Sequence, residues 1–215
     1  MDAVIFDLDG LLADTEIISL KVYQELLEDF GIPFTEETYS GHREEENVQR
    51  FLDTYDLPWN FDQTLEKVYE LEARILAKGV NLKKGAKNLL AFLQREGIPI
   101  ALATSSVESR ARMILDSNGI LSLFDHLVFA KDVKRSKPYP DIFLKACSDL
   151  NVLPENCLVL EDSEAGIEAA SRAGIPVICI PDLKIPAQSF LNKTEQVFQD
   201  LDAVRDYLES KKEVF

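Results

Sequence analysis

Positive charge is scarce in this chain: 23 Lys and Arg stand against 38 Asp and Glu, a formal net charge of −15. A field of that sign repels nucleic acid and anionic membrane. It also repels a phosphate ester, so a phosphate site here needs a local cluster of cations or a metal. Long apolar runs are missing as well. No segment approaches the roughly 20 apolar residues of a membrane span. The first apolar run, Ala3 to Phe6, is cut short by Asp7 and Asp9, so no targeting peptide is expected. Cysteine is sparse: Cys147, Cys157 and Cys179 are far apart in apolar surroundings and read as buried free thiols of a reducing cytosol. There is no internal repeat, low-complexity tract or disordered linker.

What is present is the composition of an ordinary soluble globular protein, 46% hydrophobic and 28% charged over 215 residues. That length suits one domain, or one domain carrying an inserted subdomain. Short apolar runs at residues 3–6, 98–103, 127–129, 157–160 and 176–180 read as strands covered on both faces. Helical spacing lies between them: Ala86, Leu89, Leu90 and Leu93; Val107, Ala111, Ile114 and Leu115; Ile142, Phe143, Ala146 and Leu150. The alternation predicts an α/β fold, a Rossmann-like open parallel sheet flanked by helices, with right-handed crossovers. Residues 200–212 read as a final surface helix.

The segment 15–80 breaks the alternation. It offers only helical faces: Leu20, Tyr23, Leu27 and Phe30; Val48, Phe51, Leu52 and Tyr55; Leu65, Val68, Tyr69 and Leu76. The expected organisation is therefore a core of residues 1–14 and 81–215 with a helical cap of residues 15–80 inserted after the first strand.

Four strand ends carry polar chemistry, and ligands of open α/β sheets bind there. Asp7-Leu8-Asp9-Gly10 ends the first. Two carboxylates two residues apart share a strand face and repel by about 4 kcal/mol at ~4 Å and an effective dielectric of ~20. A bridging cation or a shared proton relieves this; a polar strand end capped by solvent is the other reading. Gly10 suits a sharp exit with positive φ. Thr104 and Ser105 end the second strand, where Ser105-Ser106-Val107-Glu108 fits a capping box opening a helix that cradles a phosphoryl group; helix caps and nothing more is the other reading. Lys137, held extended by Pro138, can neutralise a phosphate or an aspartate, or be an ordinary surface lysine. Glu161-Asp162-Ser163 offers hard oxygen ligands of the kind Mg²⁺ takes, with Ser163 as a helix cap, or a solvated turn. Together the four describe one phosphate-plus-magnesium site.

These segments, in this order, resemble the motifs of the haloacid dehalogenase superfamily of phosphotransferases. The resemblance is strongest in Asp7-Leu8-Asp9-Gly10-Leu11-Leu12-Ala13-Asp14-Thr15-Glu16 and in Glu161-Asp162-Ser163-Glu164-Ala165-Gly166-Ile167. It spans essentially the whole chain and has the two-aspartate, phosphatase form of the first motif. The similarity is to small sugar-phosphate phosphatases and β-phosphoglucomutases. It implies that Asp7 attacks phosphorus to form an aspartyl-phosphate and that Asp9 is the acid and base. Thr104 would bind the phosphoryl oxygens, with Gly10 and Ser105 beside the substrate, and Lys137 would neutralise charge. It implies Mg²⁺ held by Asp7, the Asp9 carbonyl and Asp162, with Glu161 close by or acting through water. Arg43 resembles a cap arginine that grips a substrate's distal phosphate; a solvated arginine paired with its glutamate neighbours is the other reading. The expected partner is a small phosphorylated metabolite, with no nucleic acid and no membrane, for a cytoplasmic monomer.

Hydrolase and mutase stay open. Ser136 before Lys137, together with Arg43, leans towards a mutase. The lack of a histidine near Ser19 leans towards a hydrolase; the two histidines are His42 and His126. A non-catalytic phosphate-binding protein is a third reading, opposed by the presence of Asp7, Asp9, Lys137 and Asp162.

Overall fold

The computed structural model describes residues 1–34 and 44–212, so His42 and Arg43 lie outside the described residues. The chain divides into two compact units, one of Met1–Asp14 with Val80–Phe215 and one of Thr15–Gly79.

The smaller unit contains three helices among its described residues: α1 (Glu16–Glu28), α2 (Glu44–Thr54) and α3 (Phe61–Leu76). Helix α3 starts on a capping box in which Asn60 accepts from the Gln63 amide at 2.9 Å and Gln63 accepts from the Asn60 amide at 3.1 Å. Leu20, Tyr23 and Leu27 of α1, Val48 and Phe51 of α2, and Val68 and Leu76 of α3 are buried. Tyr23 and Phe51 join α1 to α2, with ring centroids 5.0 Å apart. Phe30 and Tyr69, expected on these apolar faces, are 39% and 45% exposed. Phe30 lies beyond the end of α1, where the chain turns at Gly31.

The larger unit is a parallel six-stranded sheet in the order β3-β2-β1-β4-β5-β6. The strands are β1 (Ala3–Phe6), β2 (Ile100–Thr104), β3 (His126–Phe129), β4 (Cys157–Glu161), β5 (Val177–Cys179) and β6 (Gln196–Val197). Ala3, Val4, Ile5 and Phe6 each have no exposed surface, as a central strand covered on both faces requires. The helices of this unit are α4 (Ala86–Arg95), α5 (Glu108–Ser117), α6 (Asp141–Leu150), α7 (Glu164–Ala173), α8 (Gln188–Leu191) and α9 (Leu201–Lys212). Ile142, Phe143 and Ala146 of α6 and Ile167 and Ala170 of α7 pack with Ile5, Ala101, Val128, Val159 and Val177 into one cluster. Each fully buried side chain of the size of Phe143 or Ile142 contributes about 1.5–3 kcal/mol. Helix α4 pairs with α9.

From β1 the chain adds β2 and β3 on one side, then returns to lay β4 on the other. The order reverses at β1 and β4, and the crevice outside their carboxyl ends is where such sheets bind ligands.

Two local expectations are corrected, and one strand is added. Strand β2 begins at Ile100, because Pro99 precedes it and serves only as an acceptor, its carbonyl taking the Val4 amide at 3.0 Å. Strand β6 was not expected: Gln196 and Val197 are exposed and have no apolar pattern to announce them. Helix α5 starts at Glu108 without the capping box expected at Ser105; Val107 occupies the cap position and is 67% exposed.

The three cysteines are free and buried. Sγ of Cys147 on α6 lies 3.3 Å from that of Cys157 on β4, and burial pushes the Cys179 thiol up to about 12. Among the described residues no helix is long and apolar enough to cross a membrane.

Candidate active site

Asp7 is the first residue beyond β1, and its amide donates to the Leu160 carbonyl of β4 at 3.1 Å. That bond holds it at the carboxyl end of the sheet, at the β1–β4 reversal. Its side chain is 9% exposed and accepts from the Lys137 ammonium. Lys137, 6% exposed, also donates to Glu161 Oε1 at 2.5 Å. Its Nζ lies 4.9 Å from the centre of the Phe143 ring, so one ammonium is walled by two carboxylates and an aromatic face.

Glu161 has no exposed surface. Besides Lys137 it accepts from the Asp162 amide at 3.1 Å, the Ser163 amide at 3.1 Å and the Ser163 hydroxyl at 2.9 Å. Ser163 caps α7 by accepting from the Gly166 amide at 3.1 Å. A Cβ on Gly166 would fall 1.8 Å from Glu161 Oε1, so this carboxylate lies directly against the first turn of the helix. Glu161 is thus engaged on both oxygens by the chain itself.

Thr104, fully buried at the end of β2, accepts from the Ser106 amide at 3.0 Å and donates to Asp9 Oδ2 at 3.4 Å. This local turn displaces the expected capping box: the Ser106 hydroxyl is used on Asp9 Oδ2 at 2.6 Å, and Glu108 turns to Arg112 and Lys131. Ser105 is exposed beside them. Arg110, on α5, donates to Asp9 Oδ1 at 2.5 Å and to Ser106 Oγ at 2.6 Å. Asp9 therefore points towards the β2–α5 turn, while Asp7 points towards Lys137.

The electrostatics follow from this layout. Burial raises the Asp7 carboxyl most; Lys137 pulls it down, and Glu161 and Asp9 push it up, leaving it raised to about 7. Burial alone would lower Lys137. Asp7 and Glu161 outweigh that and hold it well above the ordinary lysine value.

The expected residues Asp7, Asp9, Thr104, Lys137, Glu161 and Asp162 all lie in the larger unit at carboxyl ends of strands or in the loops that follow them. Gly10 has φ +76, and a Cβ there would meet Asp162 Oδ2 at 2.3 Å. Its bare Cα is what lets the loop after β1 approach the loop after β4.

The chain matches the family model described as haloacid dehalogenase-like hydrolase over residues 4–180. It belongs to that family. A phosphorylated carbohydrates phosphatase of Thermotoga maritima is 35% identical over 178 residues, 81% of this chain and 82% of the relative. A beta-phosphoglucomutase of Bacillus subtilis is 33% identical over 185 residues, 81% of each chain. The crystal structure of a haloacid dehalogenase family hydrolase from Deinococcus radiodurans R1, with bound phosphate and sodium, has a TM-score of 0.82 at 27% identity. It covers 98% of this chain and 96% of that one. The chain is a phosphatase-type enzyme of this family.

Two residues of the candidate site were missed in the sequence. Nothing in the local sequence marks Arg110, and only the fold turns it towards Asp9. Asp182, three residues past β5 in Ile180-Pro181-Asp182, reads as a turn. It obeys the same strand-end rule as the other four segments, which was the available signal. Its Oδ1 accepts from Lys83, which also reaches Asp14 Oδ1 at 3.4 Å.

The residues present fit a hard divalent cation. Their donors are oxygens, and carboxylates outnumber the ammonium and guanidinium groups around them. The carboxylates of Asp162 and Asp182 come within 4.8 Å of each other. Asp182 Oδ2 is buried without a hydrogen-bond partner in the described residues, an orphan that a cation satisfies.

Proposed function

We propose that this phosphatase cleaves the ester of a small phosphorylated metabolite, with a sugar phosphate as the first candidate, using Asp7 as a covalent nucleophile with Mg²⁺ bound. The observation that carries the reading is Asp7 itself: a buried carboxylate at the sheet's reversal point, paired with one lysine and crowded by further acids. Such a group is poised to attack only if positive charge keeps it ionised.

Bound Mg²⁺, held by Asp7, the Asp9 carbonyl and Asp162, would supply charge that offsets repulsion between phosphate and the carboxylates. In the first half-reaction an Asp7 oxygen bonds to phosphorus, the ester P–O bond breaks, and the leaving oxygen takes a proton from Asp9. In the second, Asp9 takes a proton from water, whose oxygen bonds to phosphorus as the Asp7–phosphorus bond breaks. Lys137 and Thr104 bind phosphoryl oxygens. Arg110 and Ser106 orient Asp9. Glu161 orients Lys137 and the loop carrying Asp162. The helical segment 15–80 is assigned the choice of substrate, as a cap, with Arg43 as its candidate contact. The buried free thiols favour a cytoplasmic setting.

The test is phosphate release from a panel of phosphorylated metabolites with Mg²⁺, for the wild type and Asp7→Asn. The expected result is metal-dependent release by the wild type alone. Turnover by Asp7→Asn at the wild-type rate would sink the reading.

The Bacillus subtilis relative and Ser136 before Lys137 favour a second reading, transfer to a sugar hydroxyl rather than water. Glucose 6-phosphate formed from β-glucose 1-phosphate without free phosphate would establish it.

A further inference from the structure

The Asp182 carboxylate is half used. Its Oδ1 accepts from Lys83, and its Oδ2 has no hydrogen-bond partner in the described residues. Its side chain is 5% exposed, so solvent does not supply the missing partner. A charged oxygen left so is costly unless a cation faces it.

The direction of Oδ2 says where that cation belongs. A Cβ built on Gly10 would fall 3.2 Å from Asp182 Oδ2 and 2.3 Å from Asp162 Oδ2. Both oxygens therefore converge on the bare Cα of Gly10, from the loops after β5 and β4. Asp162 is itself 8% exposed. Carboxylates that come within 4.8 Å of each other in so buried a place repel strongly. Lys83 relieves little of this, because it sits on the other oxygen and is shared with Asp14 at 3.4 Å.

We propose that Asp182 is a further carboxylate of the magnesium site, presenting Oδ2 to the ion that Asp162 faces, while Lys83 moderates its strength from Oδ1. The proposal rests on the reading that Asp162 holds Mg²⁺. Lys83 and the ion draw on one carboxylate from opposite oxygens, so their effects on metal affinity have opposite signs. Removing the carboxylate charge weakens Mg²⁺ binding; removing Lys83 leaves the carboxylate fully available and strengthens it. A merely structural Asp182, present to pair with Lys83, behaves otherwise. Its loss lowers the melting temperature of the metal-free protein and leaves Mg²⁺ affinity alone.

The experiment is calorimetric titration of Mg²⁺ into the metal-free full chain, with no substrate, for the wild type, Asp182→Asn, Asp182→Ser, Lys83→Met and Asp162→Asn. Melting temperatures in chelator are recorded alongside. Asp182→Asn and Asp182→Ser are expected to lose about 10- to 100-fold in affinity, the range typical of residues that support a metal site. Lys83→Met is expected to bind several-fold more tightly. Wild-type affinity in both Asp182 variants, with binding lost in Asp162→Asn, overturns this proposal and leaves the magnesium reading standing. Weaker binding by Lys83→Met also overturns it. Wild-type affinity in Asp162→Asn sinks the magnesium reading itself.

Discussion

Lys137 Nζ lies 2.5 Å from Glu161 Oε1, and both side chains are buried, at 6% and 0% exposure. The same ammonium serves Asp7, so one positive charge compensates two buried carboxylates. Lys137→Met removes that charge and leaves both acids uncompensated. We expect a stability loss of about 3–5 kcal/mol in urea unfolding at neutral pH, along with loss of activity. Lys137→Arg should restore little of either, because a planar guanidinium does not fit a site shaped for a compact ammonium. Wild-type stability in Lys137→Met would show that Lys137 is not energetically coupled to the two acids.

Asp7→Asn should separate activity from folding. The substitution removes the proposed nucleophile while changing little volume. It also removes a carboxyl that burial raises to about 7, so the metal-free variant at pH 8 should be at least as stable as the wild type. Chemical denaturation in chelator checks the second point, and a clear loss of stability there would contradict the charge balance described above.

The pH dependence has a definite sign. The Asp7 carboxyl is near 3.8 when unfolded and about 7 when folded, so between those values the native state holds a proton that the unfolded state has lost. Stability from this group is complete below about pH 4 and is lost as pH rises through 7. In the limit the loss is at most about 4 kcal/mol. Mg²⁺ held by Asp7, as proposed, would favour the ionised form, so the rise in melting temperature on adding Mg²⁺ should be small at pH 5 and larger at pH 8. Equal increments at the two pH values would rule this linkage out.

The sheet was readable because β1, β2, β4 and β5 are continuous apolar runs, buried on both faces, and such runs leave few alternatives. Strand β6 was not readable, since Gln196 and Val197 join the sheet through their backbones and bury little. The site divides along the same line. Asp7, Thr104 and Glu161 sit at strand ends that the apolar runs announce. Arg110 and Asp182 owe their roles to partners distant in sequence, Asp9 and Lys83, and local spacing carries no trace of those pairings. The capping box expected at Ser105 failed for a local reason: Thr104 Oγ captured the Ser106 amide, and Asp9 captured the Ser106 hydroxyl.

Asp9 and Arg110 offer a graded test of acid–base work. Asp9→Asn removes the proposed proton carrier and should lower kcat by about 10²–10⁴-fold. Arg110→Met leaves the carrier but frees it from its guanidinium, so the loss should be smaller, and it should fall on kcat more than on KM. Steady-state kinetics on the best substrate of the panel reads both. A larger loss in Arg110→Met than in Asp9→Asn would mean that the arginine contacts substrate directly.

Gly166→Ala tests how tightly the loop after β4 is set. The new methyl would fall 1.8 Å from Glu161 Oε1 and 1.9 Å from its carboxyl carbon, so Glu161 must move. Glu161 has little freedom to do so, being tied to Lys137, to the Ser163 hydroxyl and to two backbone amides. Overpacking of this kind costs about 1–3 kcal/mol. Because the displaced carboxylate orients Lys137, the variant should lose activity beyond what its reduced stability explains, even well below its melting temperature. Full activity in a destabilised Gly166→Ala would show that Glu161 supports the fold without positioning Lys137. A variant unaffected in both respects would mean that the carboxylate can retreat without cost, which its bonds to the helix cap and to the lysine argue against.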